Sequence, residues 1–236
     1  HVRSRRQRQM CIRDSSDSTL RLTEVFCSLQ GESSWVGERT VFVRLTGCPL
    51  RCTYCDTAYA FHGGDIVAID EVLRQVKKHA AKYVCVTGGE PLAQPNCVHL
   101  LRHLCDMGFN VSLETSGAID IALVDLRVKR IVDLKTPSSG EQQKNLMANI
   151  QHLSARDEVK FVIGDRQDYD WAKATLAQYS LQDAVAHVLF SPVFPLEPDA
   201  KAFNYRDLAD WIVADNLPVR MQLQQHKLIW GDQPGY

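Results

Sequence analysis

Cys48, Cys52 and Cys55 lie within one short stretch, GCPLRCTYCDT, at C-x3-C-x2-C spacing, and Asp56 and Thr57 follow at once. Thiolates this close can converge on one compact metal centre, but three are one ligand short of a closed tetrahedral site. Two readings follow. A zinc ion could take a histidine such as His62 as its fourth ligand, although no second cysteine knuckle accompanies this one. Alternatively, a 4Fe–4S cluster could be held by three cysteines, with one iron left open to another ligand. Asp56 and Thr57 are hard oxygen donors, suited to Mg²⁺ and not to a soft thiolate centre. The other cysteines sit singly. Cys85 lies in an apolar run and Cys97 and Cys105 follow one helical face, so they read as small buried hydrophobes, while Cys27 is ambiguous. His99 and His103 mimic a zinc helix by their i, i+4 spacing, but they lie off the Leu101/Leu104 face and read as solvated.

The segments that must position these residues alternate between strand-like and helix-like patterns. Residues 40–45 (TVFVRL) are β-branched and apolar, which predicts a strand running straight into the cysteine loop. Residues 69–80 place Ile69, Val72, Leu73, Val76 and Ala80 on one helical face. Residues 83–87 predict a buried strand closed by Gly88-Gly89, and a helix through residues 97–105 is stopped by Gly108. Further strands are expected over 109–114, 130–134, 159–163, 188–190 and 219–223, with helices over 169–178 and 205–214. Such alternation implies parallel β–α units: an α/β fold, a partial (shortened) β/α TIM-like barrel of about six parallel strands. Its site is expected at the C-terminal strand ends.

The cysteine spacing after a strand resembles the radical S-adenosylmethionine (SAM) superfamily. There the open iron chelates the amine and carboxylate of the cofactor's methionine, and the 5′-deoxyadenosyl radical released from it takes a hydrogen from substrate. Thr87-Gly88-Gly89-Glu90-Pro91 is similar to that superfamily's GGEP-type turn. The resemblance implies backbone close to the cofactor and the Glu90 carboxylate on the methionine ammonium. It also implies ribose contacts from Glu114 and Ser116, and a contact from Lys135 to the carboxylate or adenosine.

EVFCSLQGE at 24–32, FVR at 42–44, CDT at 55–57, LETSG at 113–117, DLKTPSSGE at 133–141 and QLQQHK at 222–227 resemble the 7-carboxy-7-deazaguanine synthase family. The resemblance spans residues 24–230. It implies a homodimeric lyase that converts 6-carboxy-5,6,7,8-tetrahydropterin to 7-carboxy-7-deazaguanine with loss of ammonia, towards queuosine. It further implies a 4Fe–4S cluster on Cys48, Cys52 and Cys55, S-adenosyl-L-methionine, Mg²⁺ at Thr57 and Asp56, and an electron donor such as flavodoxin or ferredoxin. The implied substrate contacts are Gln30, Gly31, Glu32, Arg44, Thr87, His226 and Lys227. The chemistry of these residues suits the roles. Gln30 both donates and accepts, Glu32 accepts from the pterin N–H edge, and Arg44 meets the substrate carboxylate as a fork. Two features depart from the family. Ser33 stands where glycine is common, and the gap between the first two cysteines has the ordinary superfamily length where many members carry an insertion. A glycyl-radical-activating enzyme, acting on a protein, is the nearest rival; a zinc-binding interaction module is a rival of another class.

Lys+Arg total 27 against Asp+Glu 28, a net charge of −1 over 236 residues. That gives no electrostatic case for direct nucleic-acid or anionic-membrane binding. No apolar run approaches the ~20 residues of a membrane helix, and no signal-peptide pattern occurs. The chain reads as cytoplasmic, where its eight cysteines stay reduced. Residues 1–16 (HVRSRRQRQMCIRDSS) are basic and lack a hydrophobic period, and QMCIRDS is similar to a translated sequencing adapter. They are expected to be a non-native or disordered leader, with residues 17–236 forming one catalytic domain.

Overall fold

The computed structural model describes residues 18–194, 203–231, 233 and 235, and the expected leader lies outside them. In chain order the elements are β1 (Thr19–Leu29), β2 (Arg39–Leu45), β3 (Asp65–Ala68), α1 (Ile69–Lys78), β4 (Tyr83–Gly88), α2 (Cys97–Asp106), β5 (Asn110–Thr115) and β6 (Lys129–Asp133). They continue with β7 (Glu158–Ile163), α3 (Arg166–Tyr179), α4 (Leu181–Ala184), β8 (His187–Pro192), α5 (Tyr205–Ala214), β9 (Arg220–Met221) and α6 (Gln225–Trp230).

Among the described residues the strands form one nine-stranded sheet in the order β3-β1-β2-β4-β5-β6-β7-β8-β9. From β2 to β9 every neighbouring pair is parallel. β1 is antiparallel to both β2 and β3. The sheet is open, with β3 and β9 at its edges, so the barrel is partial as expected. β9 is shorter than the strand anticipated over 219–223, with two residues in the ladder. The crossovers after β5 and β6 carry no α-helix; residues 137–152 instead hold short 3₁₀ turns.

Alternation decides which side of each strand meets the helices. Val41, Val43 and Leu45 of β2, Val84 and Val86 of β4, and Leu113 of β5 are fully buried in the core. The facing helices supply Val72 and Val76 from α1 and Leu100, Leu101 and Leu104 from α2. Each such side chain contributes roughly 1.5–3 kcal/mol when buried. α1 begins with Asp70 and Glu71 and ends with Lys77 and Lys78, complementing its dipole. It stops before the expected Ala80 because that residue takes φ 48°, the left-handed turn that closes a helix. Cys85 and Cys97 are buried as expected and His99 is exposed, whereas Cys105 and His103, towards the end of α2, are each partly buried. No helix among the described residues is long and apolar enough to cross a membrane.

Candidate active site

The inner face of the same strands lines a cleft of about 1440 Å³, the open solvent at its mouth included. Arg44, Thr87, Glu114, Asp133 and Lys160 reach it from β2, β4, β5, β6 and β7 in turn. Their sequence neighbours Val43, Val86, Leu113, Val132 and Phe161 point into the core. Period-two alternation therefore delivers a row of polar groups to one wall.

Cys48, Cys52 and Cys55, on the loop after β2, are free, half-buried and line this cleft. Burial raises each thiol above its ordinary value, Cys52 up to about 11. Burial thus favours the neutral thiols, and a bound cationic centre would shift them back to thiolates. The Gly88-Gly89 turn is seated directly beneath the loop. Gly89 N donates to Leu45 O (3.2 Å) and Glu90 N to Gly47 O (2.8 Å). A Cβ on Gly89 would come within 2.8 Å of Cys48 Cβ, and one on Gly88, whose φ is 151°, would meet the Leu45 backbone. These glycines let one loop nest on another, and the donor set they support fits a three-cysteine cluster. No group of three or more His, Cys, Asp or Glu side chains among the described residues is arranged to hold a single metal ion.

Glu90 is placed differently from the expectation. It is fully buried, does not line the cleft, and its carboxylate already accepts from Leu92 N, Thr115 Oγ1, Ser116 N and Ser116 Oγ. It ties the glycine turn to the end of β5 and leaves no oxygen turned to a ligand. Ser116 reaches the cleft wall while donating to Glu90. Glu114 accepts from Thr87 Oγ1 (3.0 Å) and Gln30 Nε2 (3.4 Å), linking three of the expected residues.

Gln30, Gly31 and Glu32 form the cleft's floor, and the loop that carries them meets the far edge of the sheet. Gln222 and Ser33 exchange hydrogen bonds: Ser33 N to Gln222 Oε1 (2.6 Å) and Gln222 Nε2 to Ser33 O (2.8 Å). Gln225 N donates to Gly31 O (3.0 Å), so α6 starts against the same loop. A Cβ on Gly31 would overlap the imidazole of His226. Ser33 takes φ 64°, a conformation glycine adopts freely. Serine holds it here through the Gln222 bonds and by accepting from Trp35 N. The departure from glycine leaves the turn intact.

A chain of charges circles the floor. Lys160 Nζ lies 2.6 Å from Glu32 and 3.6 Å from Asp133, and Asp133 is 3.0 Å from Lys135. Gln224 Nε2 bridges Glu32 (2.7 Å) and Asp56 (3.4 Å). Asp56 pairs with Lys227 at 2.8 Å and accepts from Thr57 Oγ1 at 2.8 Å. Burial works to raise the carboxyls of Glu32, Asp133 and Asp56, but Lys160, Lys135 and Lys227 outweigh it and hold all three below their ordinary values. Lys135, buried against Asp133 and Cys52, is likewise held charged. Asp56 and Thr57 together offer oxygen donors beside the cysteine loop, although Lys227 engages one Asp56 oxygen. Lys160, Asp133 and Gln224 were not anticipated. The available signal was an ionisable residue inside each of two apolar strands, VKFVI and RIVDL.

The family model described as the Radical SAM superfamily matches residues 42–203. The 7-carboxy-7-deazaguanine synthase of Chlorobaculum tepidum is 44% identical over 220 residues, spanning 92% of this chain and 96% of that protein. Its namesake from Koribacter versatilis is 42% identical over 221 residues, spanning 89% and 97%. Among solved structures, QueE from Escherichia coli superimposes with a TM-score of 0.70 at 23% identity, covering 88% of this chain and 95% of that one. Streptococcus suis SuiB, solved with S-adenosylmethionine, gives 0.53 at 14% identity, covering 75% and 48%.

Proposed function

The chain belongs to the 7-carboxy-7-deazaguanine synthase family of the radical SAM superfamily, and from that membership we propose how its cleft is used. The protein is a radical SAM lyase that converts 6-carboxy-5,6,7,8-tetrahydropterin to 7-carboxy-7-deazaguanine with loss of ammonia. The cluster and S-adenosylmethionine supply the radical that removes hydrogen from the substrate. Cys48, Cys52 and Cys55 hold the cluster. Gly88, Gly89, Glu114 and Lys135 border S-adenosylmethionine, and Ser116 stands at its edge. Gln30, Gly31, Glu32, Thr87, His226 and Lys227 enclose the pterin, with Arg44 on its carboxylate. Thr57 holds Mg²⁺, and Asp56, oriented by Lys227, assists it. Glu90 fixes the turn beneath the cofactor. Residues 17–236 form one catalytic domain that works as a cytoplasmic homodimer and takes electrons from flavodoxin or ferredoxin.

One observation carries this reading: the three cysteines, Lys135 and the Gln30–Glu32 loop line the same cleft. The test supplies reduced, cluster-loaded enzyme with S-adenosylmethionine and 6-carboxytetrahydropterin, with and without Mg²⁺. The expected outcome is a deazaguanine product whose yield rises with Mg²⁺. Cofactor cleavage without that product would reject the substrate and retain the superfamily chemistry. Thr57→Ala should lose the Mg²⁺ response while retaining cofactor cleavage; equal loss of both removes the metal role.

A further inference from the structure

β1 changes face at Thr23. Leu22 lies opposite Leu45 and Glu24 opposite Arg44, so β1 has two residues where β2 has one, a β-bulge. The bulged Thr23 hydroxyl is 2.7 Å from that of Thr46. Before the bulge Leu20 and Leu22 pack into the core, and after it Val25 and Cys27 do. Glu24 and Phe26 consequently turn to the cleft side, where unbroken alternation would set Glu24 among the core side chains.

There Glu24 accepts from Arg44 Nε at 2.7 Å and from the Tyr59 hydroxyl at 2.9 Å. The guanidinium of Arg44 lies 5.7 Å from the ring centroid of Phe26 and 5.7 Å from that of Tyr59. Phe26 in turn stacks on Phe42 at 5.0 Å and 12°. With Nε engaged, the two terminal nitrogens of Arg44 find no hydrogen-bond acceptor among the described residues.

We infer that Glu24 and Tyr59 are positioning residues that present the terminal nitrogens of Arg44 to the carboxylate of the substrate. A guanidinium binds a carboxylate through two parallel bonds at least ordering cost when its plane is already fixed. Here Glu24 fixes the Nε edge, and the Phe26 and Tyr59 rings pack beside the guanidinium. Tyr59 also lies on the turn Ala58–Phe61 just after the cysteine loop, so the clamp is completed by the loop that carries the cluster ligands. This inference rests on the carboxypterin substrate proposed above.

The test measures binding, by calorimetry, to cluster-loaded enzyme with S-adenosylmethionine. The probes are 7-carboxy-7-deazaguanine and 7-deazaguanine, which lacks the carboxylate. The ratio of their Kd values isolates what the carboxylate adds. Arg44→Ala should abolish that ratio. Glu24→Ala should reduce it roughly tenfold and Tyr59→Phe by a few-fold, whereas Glu24→Gln, whose amide oxygen still accepts from both partners, should keep most of it. Glu24→Ala and Tyr59→Phe leaving the ratio intact, or weakening both ligands equally, would overturn the positioning role while Arg44→Ala still supports the substrate. An unchanged ratio in Arg44→Ala would instead reject the substrate placement itself. Tyr59 is 45% exposed, so Tyr59→Phe decides the matter even if Glu24→Ala fails to fold.

Discussion

Gly31 illustrates how much of this site depends on the absence of a side chain. Its position is set from two directions, by the hydrogen bond from Gln225 N and by the His226 ring lying where a Cβ would project. Gly31→Ala should therefore push His226 and the start of α6 away from the floor. The floor also carries Gln30 and Glu32, so kcat/KM for the pterin should fall roughly tenfold to a hundredfold, the usual consequence of small misplacements. Cluster iron content should stay near the wild-type level, because β2, the Gly88-Gly89 turn and residues 138–141 hold the cysteine loop, and α6 reaches it only through Asp56. Measuring both quantities separates the two sides of the cleft; parallel loss of iron and activity would mean that the floor also supports the cluster. Glu90 shows the converse. A carboxylate in a motif usually credited with cofactor binding is here fully engaged in joining two strand ends.

At the scale of elements, legibility followed the regularity of the pattern. β2, β4, β5, β6, β7 and β8 were readable as apolar or alternating runs, α1 and α2 by helical spacing, and α3 and α5 as the segments between strands. β1 was not, because the bulge at Thr23 breaks its alternation: Leu20 and Leu22 share one phase, Val25 and Cys27 the other. β3 was missed because it is short and half-exposed. The cysteine loop and most of the cleft residues were legible because their side chains carry distinctive chemistry at fixed spacing. Lys160 and Asp133 were not, since their roles come from strands brought together only by the sheet. A second pair makes the same point. Asp157 accepts from Arg130 N, Nε and Nη2 and from Ser154 N and Oγ, joining β6 to the turn before β7. Arg130 is 2% exposed and Asp157 0%. Asp157→Ala strands a buried guanidinium and should cost about 3–5 kcal/mol in urea unfolding. The double variant Arg130→Met/Asp157→Leu should recover much of that loss. Additive destabilisation would contradict an unpaired charge as the cause.

Across the whole molecule, the near-neutral balance of −1 conceals a strongly charged interior. Glu32 and Asp133 share Lys160, and both carboxyls sit below their ordinary values of 4.5 and 3.8 because that ammonium and Lys135 outweigh burial. A folded-state value below the unfolded one means that the stabilisation is complete above the ordinary carboxyl range. It is lost as pH falls through the folded values. The wild type should therefore hold a stability plateau from about pH 5 upward and weaken below about pH 4. Lys160→Met reverses the local sign. Without the ammonium, burial raises the Glu32 carboxyl while Asp133 keeps Lys135, so ionisation of Glu32 opposes folding at neutral pH and its protonation relieves the penalty. The variant should be markedly less stable than wild type at pH 7, with the gap narrowing as pH drops towards about 4. Urea-unfolding free energies at several pH values measure this directly. A gap that stays constant with pH would show that Lys160 contributes packing alone, and that the charge chain does not organise the cleft floor.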